Sequence, residues 1–380
     1  MKIGRTAALA VLTIVGPALA KEPGAEVVHR FTGPMPTGVA VSRHNRIFVN
    51  YPRWGDNVAF SVAEITSGQA VPYPNSSLNR LNLKDTAHSL VCVQSVVMDA
   101  RDRLWILDTG SIQFTRPVAG GPKLIAVDLK TNQVVRKIAF PPSVCLPTSY
   151  LNDVRFDLSR GKAGYAFMTD SSDTGPNAII VVDLATGKSW RRLSDHPSVK
   201  HESLVPLVQD GTPKGQRLVI RLPHKQPKNP TFGSDGIALS PDGKTLYYCA
   251  LIGHHHYSVS ADALVNPSFT DGEVAATVSD LGARNFASDG LLCDTSGRLY
   301  FTDYEHNAVH RGKPGDKNPP VLTTDPSMVW PDSMAIGGNG YLYFTCNQIN
   351  RQGLFYEGKD HRKQPYLLYR VKVGSQQANP

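Results

Sequence analysis

Long apolar runs, blocks of like charge and the short signatures of familiar chemistry are all scarce in this chain. No stretch beyond the first 20 residues approaches 18 consecutive apolar residues, so no membrane-spanning helix is expected there. The 40 Lys and Arg exceed the 32 Asp and Glu by eight but lie scattered, without a basic block, and nucleic acid is not an expected partner. Five Cys in 380 residues are too few for a disulfide-stapled scaffold. No G-x-S-x-G, G-x-G-x-x-G, P-loop, C-x-x-C or H-E-x-x-H occurs, which removes most serine-hydrolase, nucleotide and zinc-protease mechanisms. What remains is a chain that is 41% apolar and 19% charged, the composition of a folded globular protein.

Its first residues have the form of a secretory leader. Lys2 and Arg5 precede the apolar run Ala7 to Val15, and Ala18-Leu19-Ala20 supplies the small residues of a cleavage site. Cleavage before Lys21 is expected, with the mature protein outside the cytoplasm, either extracellular or periplasmic. The apolar run is too short to anchor it, because at about 1.5 Å per residue it cannot cross a hydrocarbon core about 30 Å thick.

The strongest signal is internal repetition. A polar pair, a short apolar strand, a Gly/Asp/Asn-rich turn and an apolar-aromatic strand recur six times, beginning at Thr37-Gly38, Gln94-Ser95, Asn152-Asp153, Asp235-Gly236, Asp289-Gly290 and Asp332-Ser333. From Gly38 to Ser333 the intervals are 57, 58, 83, 54 and 43 residues, each the size of a four-stranded sheet. Six such units, none safe at its edges alone, predict an all-β six-bladed β-propeller as one domain over residues 21–380. Ala25–Phe31 is expected to complete the last blade beside Tyr366–Val371. The 83-residue interval carries an insertion, 200–233, expected to be a long loop on one face.

Within these repeats stand words that resemble the yellow / major royal jelly protein family: Tyr51-Pro52-Arg53-Trp54, Val93-Gln94-Ser95-Val96, Arg103-Leu104-Trp105-Ile106-Leu107-Asp108-Thr109-Gly110, Tyr150-Leu151-Asn152-Asp153-Val154, Ala287-Ser288-Asp289-Gly290 and Cys346-Asn347-Gln348. The resemblance implies a secreted six-bladed propeller that binds small aromatic amines or is linked to dopachrome conversion. It departs from the insect pattern at Arg101 and at Gly120-Gly121, where insect members carry the two halves of a disulfide.

The residue before each inner strand reads Thr37, Gln94, Asn152, Asp235, Asp289 and Asp332. Inner strands line a propeller's channel, so these oxygens should form a ring at one mouth. Three carboxylates that close raise one another's pKa unless a cation or a proton intervenes. The same column resembles the metal ligands of gluconolactonase / regucalcin-like propellers, which implies Ca²⁺ or another divalent cation at Asn152, Asp235 and Asp289, although Thr37 replaces their first-blade acid. Capping of turns by the same side chains is the competing expectation.

Two uses of this mouth follow. A binding protein would hold a small ligand, such as an aromatic amine, on Gln94, Asn152, Asp235, Asp289 and Asp332 between rings such as Trp54 and Tyr304. A metal-dependent lactonase would use Asp332 or Asp153 as general base. A dopachrome-tautomerase-like enzyme rests on the resemblance alone. Elsewhere, His254-His255-His256 is expected on a solvated outer strand. Cys249, Cys293 and Cys346 are expected as buried thiols, and a Cys92–Cys145 bridge is expected in an oxidising compartment.

Overall fold

The strand Arg103–Asp108 shows why the sheets must stack: Leu104 and Ile106 face one way, Trp105 and Leu107 the other, and all four are buried. A strand apolar on both faces needs a neighbour on each. In the computed structural model, which describes residues 24–209 and 215–379, six four-stranded antiparallel sheets meet that need by packing radially. The leader expected at 1–20 lies outside the described residues.

Blade 1 comprises Val39–Val41, Ile47–Asn50, Val62–Thr66 and Gln69–Pro72. Blade 2 comprises Val93–Met98, Arg103–Asp108, Lys123–Asp128 and Gln133–Ala139, and blade 3 Leu151–Asp157, Tyr165–Asp170, Ala178–Asp183 and Ser189–Arg192. Blade 4 is Ser234–Leu239, Thr245–Ala250, His255–Ser260 and Ser279–Ala283, and blade 5 is Leu291–Cys293, Leu299–Asp303, Ala308–Gly312 and Val321–Thr324. Blade 6 takes Pro331–Ile336, Tyr341–Cys346 and Tyr366–Lys372 from one end of the chain and Glu26–Phe31 from the other. Glu26 lies opposite Arg370 and Phe31 opposite Tyr366, so the expected closure forms. Six apolar clusters fill the six seams between blades.

The inserted segment covers one mouth of the ring. Leu207–Val208 pairs with Gln216–Arg217, Ile220 bridges to Lys228, and Val208, Leu218 and Ile220 pack with Phe355, Tyr304 and Trp330. Arg221 N–H donates to the Leu354 carbonyl at 2.9 Å, joining this cap to the loop after Cys346.

Two expectations are corrected. The strand carrying the histidines is the third of its blade, covered by Ser279–Ala283, so His256 is buried, His254 meets Glu305 at 2.6 Å, and only His255 is substantially exposed. Cys92 and Cys145 are free, like the other three thiols. They sit on opposite faces of blade 2: Cys92 Sγ accepts from the Arg53 N–H at 3.3 Å on the blade 1 side, whereas Cys145 packs in the seam with blade 3.

Candidate functional site

Irregularities in the inner strands build the site. In blades 2, 3, 4 and 6 the pairing of the innermost strands slips next to the polar pair, at Val93/Ser95, Leu151/Val154, Ser234/Ile237 and Pro331/Met334. Such bulges re-aim side chains, and here two adjacent residues serve two levels of the channel. Glycine tightens the arrangement, because a Cβ on Gly236 would lie 2.4 Å from the Asp289 carbonyl oxygen and one on Gly290 2.3 Å from that of Asp332. Neighbouring blades therefore approach closely enough for their carboxylates to converge.

Beneath the cap lies a cavity of about 50 Å³. Gln94, Asn152, Asp235, Asp289 and Asp332 form its floor, and Trp54, Phe114, Tyr150, Phe232 and Trp330 supply aromatic walls. Five of the six column residues thus come together. Thr37 does not line the cavity: its hydroxyl donates to the Gln94 carbonyl at 3.1 Å and accepts from Asn50 Nδ2 at 2.8 Å, a purely structural role. Tyr304 stands behind the wall, stacked on Trp330 with centroids 4.1 Å apart and its hydroxyl donating to the Leu251 carbonyl. Phe114, Phe232 and the cap residues Leu218 and Leu354 were not foreseen; they come from loops without repeat periodicity, although the Pro- and Lys-rich insertion marked where one such loop lay.

The floor is a hydrogen-bond chain that converges on two carboxyls from opposite ends. Trp54 Nε1 donates to Tyr150 Oη at 2.7 Å, Tyr150 Oη to Gln94 Oε1 at 3.0 Å, Gln94 Nε2 to Asn152 Oδ1 at 3.0 Å, and Asn152 Nδ2 to Asp235 Oδ2 at 2.7 Å. Asp235 is hydrogen-bonded to Asp289, which receives the Trp330 Nε1 proton at 2.6 Å. An indole N–H only donates, so both ends of the chain point inward and it must terminate on an acceptor. Asp289 is an acceptor there, and one proton held between the two carboxyls completes the chain. Burial, reinforced by the neighbouring Asp289, holds the Asp235 carboxyl well above the usual range; burial pushes Asp289 up to about 7 against the pull of Trp330. Asp332 is also raised, by burial and then by Asp289, while accepting from Asn347 Nδ2 at 2.5 Å.

Asp153 occupies the next level down. It accepts from Ser95 Oγ at 2.7 Å and pairs with Arg155 Nη2 at 3.3 Å, and that guanidinium crosses the channel to donate to the Leu291 carbonyl at 2.7 Å. Of the two candidate bases, only Asp332 therefore lines the cavity. Past Arg155, the far mouth is crossed by the tail, where Ala378 N–H donates to the Cys293 carbonyl and Asn379 Nδ2 to the Ser240 carbonyl. The cavity is a dead end.

The donor set does not suit the expected metal. A hard divalent cation takes six or more oxygens, but Asn152 turns its NH₂ toward the carboxylates and its oxygen toward Gln94. Reversing that amide would reverse Gln94 and leave the buried Tyr150 proton without an acceptor. No group of three or more His, Cys, Asp or Glu with metal-binding geometry occurs among the described residues. No helix among them is long and apolar enough to cross a membrane.

Fold and site together define a six-bladed propeller with a capped acidic pocket at one channel mouth. Among solved structures, calcium-binding regucalcin from Agrobacterium tumefaciens superposes with a TM-score of 0.54 at 14% identity over 93% of this chain and 96% of its own. A gluconolactonase from Xanthomonas campestris gives 0.50 at 12% identity, covering 97% and 98%. These likenesses establish architecture. The chain belongs to the major royal jelly protein family, whose model matches residues 91–377. Protein yellow of Drosophila madeirensis is 26% identical over 292 residues, covering 73% of this chain and 48% of the relative, so the chain spans about half the length of the curated relatives it matches.

Proposed function

We propose that the capped pocket binds a small organic cation, an aromatic amine, with its ammonium on Asp289 and its ring between the aromatic walls. The observation that carries this is the floor itself: three buried carboxyls converge with no Lys, Arg or His among the described residues lining the cavity. A buried carboxylate without a positive partner is costly, and an ammonium supplies the missing charge while the rings favour a cation near their faces. The cavity of about 50 Å³ has room for an amine head but not a ring, since a cavity of about 150 Å³ is what accommodates benzene. Entry therefore requires the cap side chains Leu218, Phe232 and Leu354 to part. The leader-like form of the first 20 residues supports a site that works outside the cytoplasm.

Apolar walls and the lack of a fitting metal site weigh against a metal-dependent lactonase. Calorimetric titration with tyramine tests the proposal. Tyramine should bind, and the Asp235→Asn/Asp289→Asn double variant should bind at least tenfold more weakly, as loss of a charge-assisted hydrogen bond implies. Unchanged affinity in that variant would remove the site from consideration.

A further inference from the structure

The same floor that favours an ammonium offers no positive charge to a carboxylate. Its ionisable groups are the carboxyls of Asp235, Asp289 and Asp332, and no Lys, Arg or His is among the described residues that line the cavity. The amides of Gln94 and Asn152 are committed to the chain that ends on Asp289. Ser171 Oγ, which accepts from Asn152 Nδ2 at 3.1 Å, and the Gln352 amide, whose contact with Met35 Sδ is long at 3.8 Å, are the neutral donors left on the wall. Backbone N–H groups nearby are also engaged, Leu251 with the Gly233 carbonyl, Ser171 with the Tyr150 carbonyl and Ile349 with Asn347 Oδ1.

Building on the amine proposal, we infer that the pocket discriminates by charge against the α-carboxylate, taking aryl-ethylamines and rejecting the corresponding aromatic amino acids. In an amino acid the carboxylate is one carbon removed from the ammonium, so seating the ammonium on Asp289 brings a second negative charge within a few ångströms of it. At that spacing, in a partly dehydrated site, like charges repel strongly. A hydroxyl on the ring meets no such barrier, because Ser171 and Gln352 can pair with a neutral polar group. Carboxylated indoles of the dopachrome type are disfavoured for the same reason. Specificity here comes from what the wall omits, a repulsive element directed at the competitor.

The experiment compares tyramine, tyrosine and tyrosine methyl ester on the mature protein by calorimetry. Tyramine should bind, tyrosine should bind at least 100-fold more weakly, and the ester, which keeps the bulk but loses the charge, should return to within tenfold of tyramine. Tyrosine binding as tightly as tyramine would overturn the inference while leaving the amine site standing. An ester as weak as tyrosine would also overturn it, since size would then decide. Failure of tyramine itself would overturn the amine proposal, and this inference with it. Gln352→Lys, which adds a cation to the wall without touching the floor, should narrow the tyramine-to-tyrosine ratio at least tenfold; an unmoved ratio counts against the charge mechanism.

Discussion

Replacing Asp235 by Asn probes the direction of the hydrogen-bond chain. If Asp235 is the neutral acid, Asn is its near-isostere: the amide oxygen accepts from Asn152 as the carboxyl does, and the NH₂ donates to Asp289 in place of the shared proton. The stability consequence has a definite sign. A carboxyl held above its ordinary range stays protonated in the fold while the unfolded chain has released its proton, so the fold binds the extra proton. Stability contributed in this way is greatest in acid and falls as pH rises, by about 1.4 kcal/mol per pH unit for each such group. Asp153, Asp289 and Asp332 all face Asp235 and push in the same direction. Between pH 5 and pH 7 wild type should thus lose up to about 2.7 kcal/mol more than Asp235→Asn. Urea unfolding at the two pH values measures this, with the variant at least as stable as wild type at pH 7. An Asn variant that is destabilised by 1 kcal/mol or more at pH 7, or that keeps the wild-type pH slope, would refute the assignment of the proton to Asp235.

Four further outcomes are expected. Tyramine affinity should rise from pH 6 to pH 8, because Asp289 ionises near 7 while the amine stays charged; a flat profile would mean another group receives the ammonium. Phe31→Ala, which empties a buried position of the closing strand, should cost about 3 to 5 kcal/mol in urea unfolding, and a loss below 1 kcal/mol would show that the seam does not depend on it. Denatured protein that has never met a reductant should titrate five thiols, whereas three, with Cys92 and Cys145 joined in a non-reducing peptide map, would reveal a bridge that the structure lacks. Millimolar Ca²⁺ against a chelator should leave the melting temperature unchanged; a rise of several degrees would show that the floor holds a cation despite its inward amide.

Much of this molecule could be seen in its residues because the propeller repeats itself. Asp-Gly before an inner strand, met twice, marks both a carboxylate at the mouth and the close approach of the next blade, so the column was readable as a set. The level of each residue was not. Asn152 and Asp153 are neighbours, and only the bulge sends one to the cavity and the other to Arg155. Thr37 looked like a member of the ring until Asn50, 13 positions away, claimed its hydroxyl. Tyr304 does not line the cavity, and its stacking behind Trp330 leaves no trace in spacing. The histidines show the same difficulty: whether a third strand is covered depends on a fourth strand that arrives after two short helices.

The closing strand also governs how this fold can be reached. Glu26 meets Arg370 across 344 residues of chain. Loop closure grows only logarithmically with length, about 0.6 kcal/mol per doubling, so so distant a pairing costs the finished ring little. In time it costs far more. Blades 1 to 5 are each built from contiguous chain and can form as local sheets, whereas the sixth has no complete form until the two distant segments meet. Long-range pairings of this kind slow folding. During synthesis Glu26–Phe31 emerges early and must wait without a partner, a strand with an unpaired edge at risk of pairing with a second chain, so the yield of folded protein should depend on concentration more steeply than its stability does.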